Sequence, residues 1–225
     1  MNSPLSGDAM ARLLLEGGAV QLAGDQPFVL AAGWASPAYV DVRLLIGEPS
    51  LRRAVVALAA DAIRTRLPQP PEALAGADTG GIPWAAWLAE ELDLPLRYVR
   101  KRPLGIGRNA QVEGGSVEGR RVLLIDDLMT DGSSKAAFAR GLRSAGASLT
   151  HTLCLFHHGT FPGGAERMRE LELELVALAS WRDVLALQHP ALSADSRAVL
   201  EGFLADPVSW SAAHGGRVGL APLAI

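Results

Sequence analysis

An α/β fold, a mainly parallel central sheet flanked by helices with a small N-terminal lobe, is the architecture this sequence predicts. Three observations lead there. From Ser50 onward, short apolar runs alternate with longer stretches of helical period, the pattern of βαβ units. The apolar run Val122–Ile125 ends in two adjacent aspartates, Asp126 and Asp127, followed by Thr130-Asp131-Gly132-Ser133-Ser134. Residues 19–42 instead carry closely spaced β-like runs that break the alternation, so residues 1–45 are expected to form a separate hood lobe on a core spanning 46–205.

The elements follow in order. Ser6 is positioned to cap a helix running to Glu16, which Gly17 and Gly18 end. Strand-like segments follow at Ala19–Leu22, Phe28–Ala31 and Ala38–Val42, separated by turn-forming residues. Ser50 caps a helix to Arg66, and the Pro-rich RLPQPP interrupts the chain. Leu74–Ala77 reads as a strand, Pro83 opens a helix to Leu92, and Leu96–Arg100 is a further strand. A Gly-rich polar loop covers Lys101–Gly119. Strand Val122–Asp126, helix Ser133–Ala145 and strand Leu149–His157 come next, then a helix, a strand and a helix to Leu187. The tail, 206–225, is expected to be irregular.

Composition narrows the function. A chain of 225 residues, 49% of them apolar and with net charge -3, can bury a substantial core and lacks the basic excess of a nucleic-acid binder. Only two of its 21 basic residues are lysines, Lys101 and Lys135. The single cysteine, Cys154, excludes an internal disulfide and lies in an apolar strand, where a buried structural role is expected. No basic-then-apolar leader and no uncharged run of membrane-spanning length is present. A soluble, cytoplasmic protein is therefore expected.

In an open parallel sheet, ligands sit at the carboxyl ends of the strands, where Asp126 and Asp127 emerge. The backbone N–H groups and hydroxyls of 130–134, opening a helix, suit a phosphate monoester. Carboxylates beside such a nest would repel phosphate oxygens, so they must hold sugar hydroxyls or a divalent cation. A P-loop ATPase is excluded because no Gly-Lys pair exists in the chain. A dinucleotide fold is disfavoured too: Gly105–Ala110 formally fits G-x-G-x-x-A, but QVEGGSVEG cannot continue as the required helix. His157 and His158, adjacent on a strand, point to opposite faces and do not make a zinc site. Trp84 and Trp87 read as core residues.

LLIDDLMTDGSS resembles the phosphoribosyl pyrophosphate (PRPP) motif of type I phosphoribosyltransferases. FVLAAGWASPAYVDVR, ADTGGIPWAAWLA and RYVRKRPLGIGRNAQVEGG resemble, in the same order, the N-terminal segment, the pyrophosphate-contacting loop and the mobile catalytic loop of orotate phosphoribosyltransferases. The resemblance implies transfer of a phosphoribosyl group from PRPP to orotate, with Mg2+ as cofactor, in a homodimer whose mobile loop reaches the neighbouring subunit. It implies that Asp126 and Asp127 take the ribose hydroxyls and, indirectly through PRPP and water, the metal. Thr130, Asp131, Gly132, Ser133 and Ser134 take the 5'-phosphate; Thr79, Gly80 and Gly81 offer donors to pyrophosphate. Arg100, Lys101 and Arg108 supply cations, Lys101 and Arg108 joining the two aspartates in catalysis. Tyr39, Arg43, Thr130 and His157 are the candidates around orotate, with Arg43 and His157 unranked as partners of its carboxylate. The sequence departs from the family pattern at Leu104, where a lysine is usual, and at Ile106, where a histidine or tyrosine is common. Two alternatives therefore stay open: a non-catalytic PRPP-binding regulator on the same fold, and transfer to another base.

Overall fold

The computed structural model of the chain describes residues 4–103, 105 and 110–219. Helix α1 (Pro4–Glu16) begins ahead of Ser6, which lies inside it, and it ends on Gly18 at φ +64°. Two small antiparallel ladders follow. Strand β1 (Val20–Leu22) pairs with β4 (Ala38–Val40), while β2 (Phe28–Val29) and β3 (Ala35–Ser36) form a hairpin between them. A short helix α2 (Leu44–Gly47) leads to α3 (Pro49–Arg66), opened by Pro49 after Glu48 rather than capped by Ser50; proline at the first helical position lacks only an N–H that would have no partner there.

The core then alternates as the apolar spacing requires: β5 (Ala73–Ala77), α4 (Gly81–Leu92), β6 (Leu96–Val99), β7 (Val112–Glu113), β8 (Arg121–Met129), α5 (Ser133–Ser144), β9 (Ser148–His157), α6 (Gly164–Glu170), β10 (Glu174–Ser180) and α7 (Trp181–Ala186). A six-stranded sheet results, in the order β10-β9-β8-β5-β6-β7, parallel throughout except for β7 against β6. Alternate side chains of β8 go to opposite faces. Leu123 and Ile125 join the core under α1, α3, α4 and α7, whereas Val122 and Leu124 join the core that contains Phe138, Ala139 and Leu142 of α5 and Met168 of α6.

Two expectations about boundaries need correction. The N-terminal 45 residues are not one separate lobe: Met10, Ala11 and Leu14 of α1, with Ala38 and Val40 of β4, belong to the main core. Only the β2–β3 hairpin sits apart, over a small cluster of Leu30, Trp34, Phe161 and Phe203. The first part of the carboxyl-terminal tail is also not irregular. After α8 (Ala194–Ala205), helix α9 (Pro207–Ala213) is capped by Asp206, which accepts a hydrogen bond from the Ser209 N–H at 3.1 Å. The Asp-Pro start is a helix signal in its own right.

Candidate active site

Strand β8 outruns its neighbour on one side. Its pairing with β5 stops at Ile125, while its pairing with β9 continues through Asp126, Leu128 and Met129. Asp126 and Asp127 thus lie within β8, not at its end, where β5 has already turned away into α4. The turn facing them is Thr79-Gly80-Gly81. A β-carbon at Gly80 would lie 2.2 Å from Asp127 Oδ2, and one at Gly81 would lie 2.2 Å from the Ile125 carbonyl oxygen. Glycine is therefore required at both positions by close approach, and the first turn of α4 opens beside the paired acids.

The two acids are not equivalent. Asp126 is buried, and both of its oxygens are engaged: Oδ1 accepts the Asp127 N–H at 3.0 Å, and Oδ2 is in ion-pair contact with Lys135 Nζ. Lys135 is 1% exposed. It sits in the first turn of α5, where a cation opposes the helix dipole, so its place there is explained by Asp126. Asp127 Oδ1 accepts the Leu128 N–H at 2.8 Å, leaving Oδ2 directed toward Gly80. Burial and the adjacent Asp126 charge push the Asp127 carboxyl up to about 6. Of the paired acids, Asp127 keeps one carboxylate oxygen directed at the Gly80 turn, and Asp126 is turned to the lysine.

The segment after β8 forms the corner that opens α5. Gly132 has φ +74°, and a β-carbon there would come within 3.0 Å of both the Met129 and the Met168 methyl carbons. Both the positive φ and the close approach require glycine here. Thr130 and Ser134 are half-buried and Ser133 is exposed. The Asp131 side chain is turned inward: it is 1% exposed, and its Oδ1 accepts the Ser133 N–H at 3.0 Å. Its charge is met from behind by Arg167, whose Nη1 also donates to the Asp131 carbonyl at 2.8 Å, and by Arg217.

On the other side of the turn, Arg100, Lys101 and Arg102 line, with Asp78 and Pro103, an open cavity of about 440 Å3. Arg100 stacks on Tyr98 and donates to its hydroxyl at 3.1 Å, and it lies 3.8 Å from Glu113. Lys101 and Arg102 are exposed. Gln111 holds the base of this arm, its Nε2 donating to the carbonyls of Arg100 at 2.8 Å and Ala137 at 3.1 Å. Arg108, with Leu104 and Ile106, lies outside the described residues.

The candidates for the base are less well provided with charge. Arg43 is paired bidentately with Asp41 at 2.7 and 3.1 Å, and it donates to the Tyr39 hydroxyl at 3.2 Å. His157 ends β9, and burial together with the Lys135 charge lowers its pKa, so its imidazole is neutral near pH 7 and offers an N–H rather than a charge. His158 is buried and accepts the Trp181 indole N–H at 3.1 Å. Cys154 is buried on β9, where desolvation pushes its thiol up to about 12, and Trp84 is fully buried.

Sequence reasoning did not find Lys135, Gln111, Arg167 or Arg217. Lys135 alone left a trace, as one of two lysines in an arginine-rich chain.

A parallel sheet with one antiparallel edge, paired acids on its central strand and a glycine corner opening the next helix define a class of enzyme that handles phosphorylated ribose. The family model for the phosphoribosyl transferase domain matches residues 46–175, and the chain belongs to that family. The curated orotate phosphoribosyltransferase of Rhizobium rhizogenes is 42% identical over 95% of this chain and 94% of its own length. That of Ruegeria sp. is 42% identical over 91% of this chain and 92% of its own. Among solved structures, orotate phosphoribosyltransferase from Aeropyrum pernix superposes with a TM-score of 0.68 at 36% identity, covering 79% of this chain and 96% of that one. Leishmania donovani UMP synthase gives a TM-score of 0.76 at 26% identity, covering 88% of this chain and 42% of that longer one.

Proposed function

We propose that the chain is an orotate phosphoribosyltransferase, converting orotate and PRPP to orotidine 5'-monophosphate and pyrophosphate in the formation of UMP. The observation that carries the reading is the meeting of Asp127 Oδ2 with the Gly80 turn, directly beside the corner that opens α5. A ribose held by Asp127 would have its 5'-phosphate directed to residues 130–134 and its pyrophosphate to 79–81 and the Arg100–Arg102 arm. Relatives of that name, matched over nearly the full chain, support the choice of orotate.

In the reaction, a bond forms between N1 of orotate and the anomeric carbon, the bond from that carbon to the pyrophosphate oxygen breaks, and pyrophosphate leaves with the electron pair. The N1 proton is released. Positive charge develops on the ribose ring, so the protein's task is to hold the ring still and meet the charge on the leaving group. Asp127 orients the ribose hydroxyls. The N–H groups opening α4 and the cations of the Arg100–Arg102 arm face the departing pyrophosphate. The donor set fits a metal that arrives with the substrate: Asp126 is committed to Lys135, no group of three metal-ligating side chains exists among the described residues, and Asp127 remains to meet Mg2+ held chiefly by PRPP. When bound, Mg2+ would neutralise pyrophosphate charge.

A homodimer sharing the mobile loop and a cytoplasmic location belong to the same proposal. No helix among the described residues is long and apolar enough to cross a membrane. A second reading, a PRPP-binding regulator or a transferase for another base, is favoured by Leu104 and by the compensated charge of Arg43. Purified protein assayed with PRPP, Mg2+ and a panel of bases separates the three. Turnover with orotate alone supports the proposal, turnover with another base replaces orotate, and PRPP binding without turnover assigns regulation.

A further inference from the structure

Asp131 poses a problem that the proposed reaction does not answer. A carboxylate has been placed in the loop assigned to a phosphate dianion, where its charge should repel the ligand. The structure resolves the conflict from outside the loop. Arg167 Nη1 lies 3.6 Å from Asp131 Oδ1, with 5% of its side chain exposed. Arg217 Nη1 lies 3.7 Å from Asp131 Oδ2, an oxygen that is buried without a hydrogen-bond partner.

Arg217 belongs to the carboxyl-terminal segment, and that segment is fastened with unusual care. Its N–H donates to the Gly33 carbonyl at 3.0 Å, its Nη1 donates to the Ala32 carbonyl at 2.8 Å, and its guanidinium lies over the Trp34 ring. Ser211 Oγ of α9 accepts the Ala35 N–H at 3.0 Å and donates to the Arg217 carbonyl at 2.9 Å. One side chain thus bridges the β2–β3 hairpin and the interior of the phosphate corner. Asp131 in turn holds the Ser133 N–H, fixing the backbone path at the start of α5.

We propose that Arg217 is a positioning residue of the 5'-phosphate site, acting through the buried Asp131 carboxylate, so that the carboxyl-terminal segment is a working part of the ligand site. Without Arg217, the Asp131 carboxylate loses a neutralising partner and turns its charge on the ligand, and the Ser133 corner loses its anchor. The inference rests on reading residues 130–134 as the 5'-phosphate site.

The test is a double-mutant cycle with ribose 5-phosphate, read by calorimetry on the full chain, alongside PRPP kinetics. R217Q is expected to weaken ribose 5-phosphate about tenfold and to raise the KM for PRPP similarly, with kcat within about twofold of wild type. R217K, which keeps the charge but not the fork, should recover part of the loss. In a D131N background, where no carboxylate needs neutralising, R217Q should cause no further weakening. Normal ribose 5-phosphate binding by R217Q, an equal additional loss in D131N, or a change confined to the KM of the base would each overturn the proposal. If R217Q does not fold, R217K is carried through the same cycle and judged by the same additivity. Wild-type protein that fails to bind ribose 5-phosphate removes the phosphate-site assignment itself, and Arg217's role with it.

Discussion

The β8–α5 corner and the Arg100–Arg102 arm face the same ligand end of the sheet but are built in opposite ways. At the corner, Asp126, Asp131, Lys135 and Arg167 are buried and paired with one another. On the arm, Lys101 and Arg102 are exposed to solvent, and Arg100 alone is held, by Tyr98 and Glu113. Buried charges keep their geometry at the cost of desolvation, whereas solvated ones move freely and gain strength only when a ligand excludes water. On the proposed function, the difference translates into a division of labour: the corner would fix the ribose and its phosphate in advance, and the arm would supply charge as pyrophosphate departs.

The largest effect expected concerns the corner's foundation. Lys135→Met removes one partner of a buried ion pair and leaves Asp126 uncompensated, which should cost ~3–5 kcal/mol of folding free energy. Urea unfolding measures it. Adding Asp126→Asn to Lys135→Met should return most of that loss, because the stranded charge disappears with its partner. A Lys135→Met protein as stable as wild type would break the contrast between a paired corner and a solvated arm.

Next comes Asp127, the acid directed at the Gly80 turn. Asp127→Asn should lower kcat/KM by roughly 10²–10³-fold, the scale of a well-placed polar group in the transition state, while leaving the fold intact. Steady-state kinetics at saturating Mg2+ read it. If Asp127→Asn cost less than loss of Lys101, the arm and not the corner would dominate.

These expectations differ in how much of their basis the sequence disclosed. The alternation of apolar runs gave the parallel sheet, because a buried parallel strand and an amphipathic helix leave different periods. Gly132, Gly80 and Gly81 were marked through the resemblance, and the structure gives the physical reason for glycine: positive φ at Gly132 and close backbone approach at Gly80 and Gly81. Pairing across the fold was not legible. Lys135 is adjacent to Asp126 only because α5 turns back over the end of β8, and no periodicity encodes that contact. Arg217 reaches Asp131 from the far end of the chain, through a segment whose helix the Asp206-Pro207 start announced but whose docking it did not. The short edge strand β7 was also hidden, its two residues lying in a loop of glycines.

A smaller effect sharpens the contrast through pH. Asp127 is raised from 3.8 to about 6, first by burial and then by the Asp126 charge. Between those values the folded chain binds the proton more readily than the unfolded chain, so the group destabilises the fold at neutral pH, and the penalty disappears as pH falls through 6 toward 4. Asp127→Asn should therefore be more stable than wild type at pH 7 by ~3 kcal/mol, with most of the advantage lost by pH 4. Paired urea titrations at the two pH values decide the matter. An advantage independent of pH would show that the gain is not electrostatic.

The smallest effect belongs to the arm. Lys101 is exposed and pairs with nothing described within ion-pair distance, so its removal should cost no measurable stability, since solvated surface charges contribute little. In the ground state its charge is screened by water and salt; as pyrophosphate charge develops in a closed site, the same cation interacts more strongly. Lys101→Ala should therefore lower kcat about tenfold while changing the dissociation constant for PRPP by less than about threefold. The separation is measured by single-turnover kinetics beside equilibrium PRPP binding, at two salt concentrations. Were Lys101→Ala instead to weaken PRPP binding and leave kcat alone, the arm would be a ground-state binding element like the corner, and the difference in burial between the two regions would not correspond to a difference in timing.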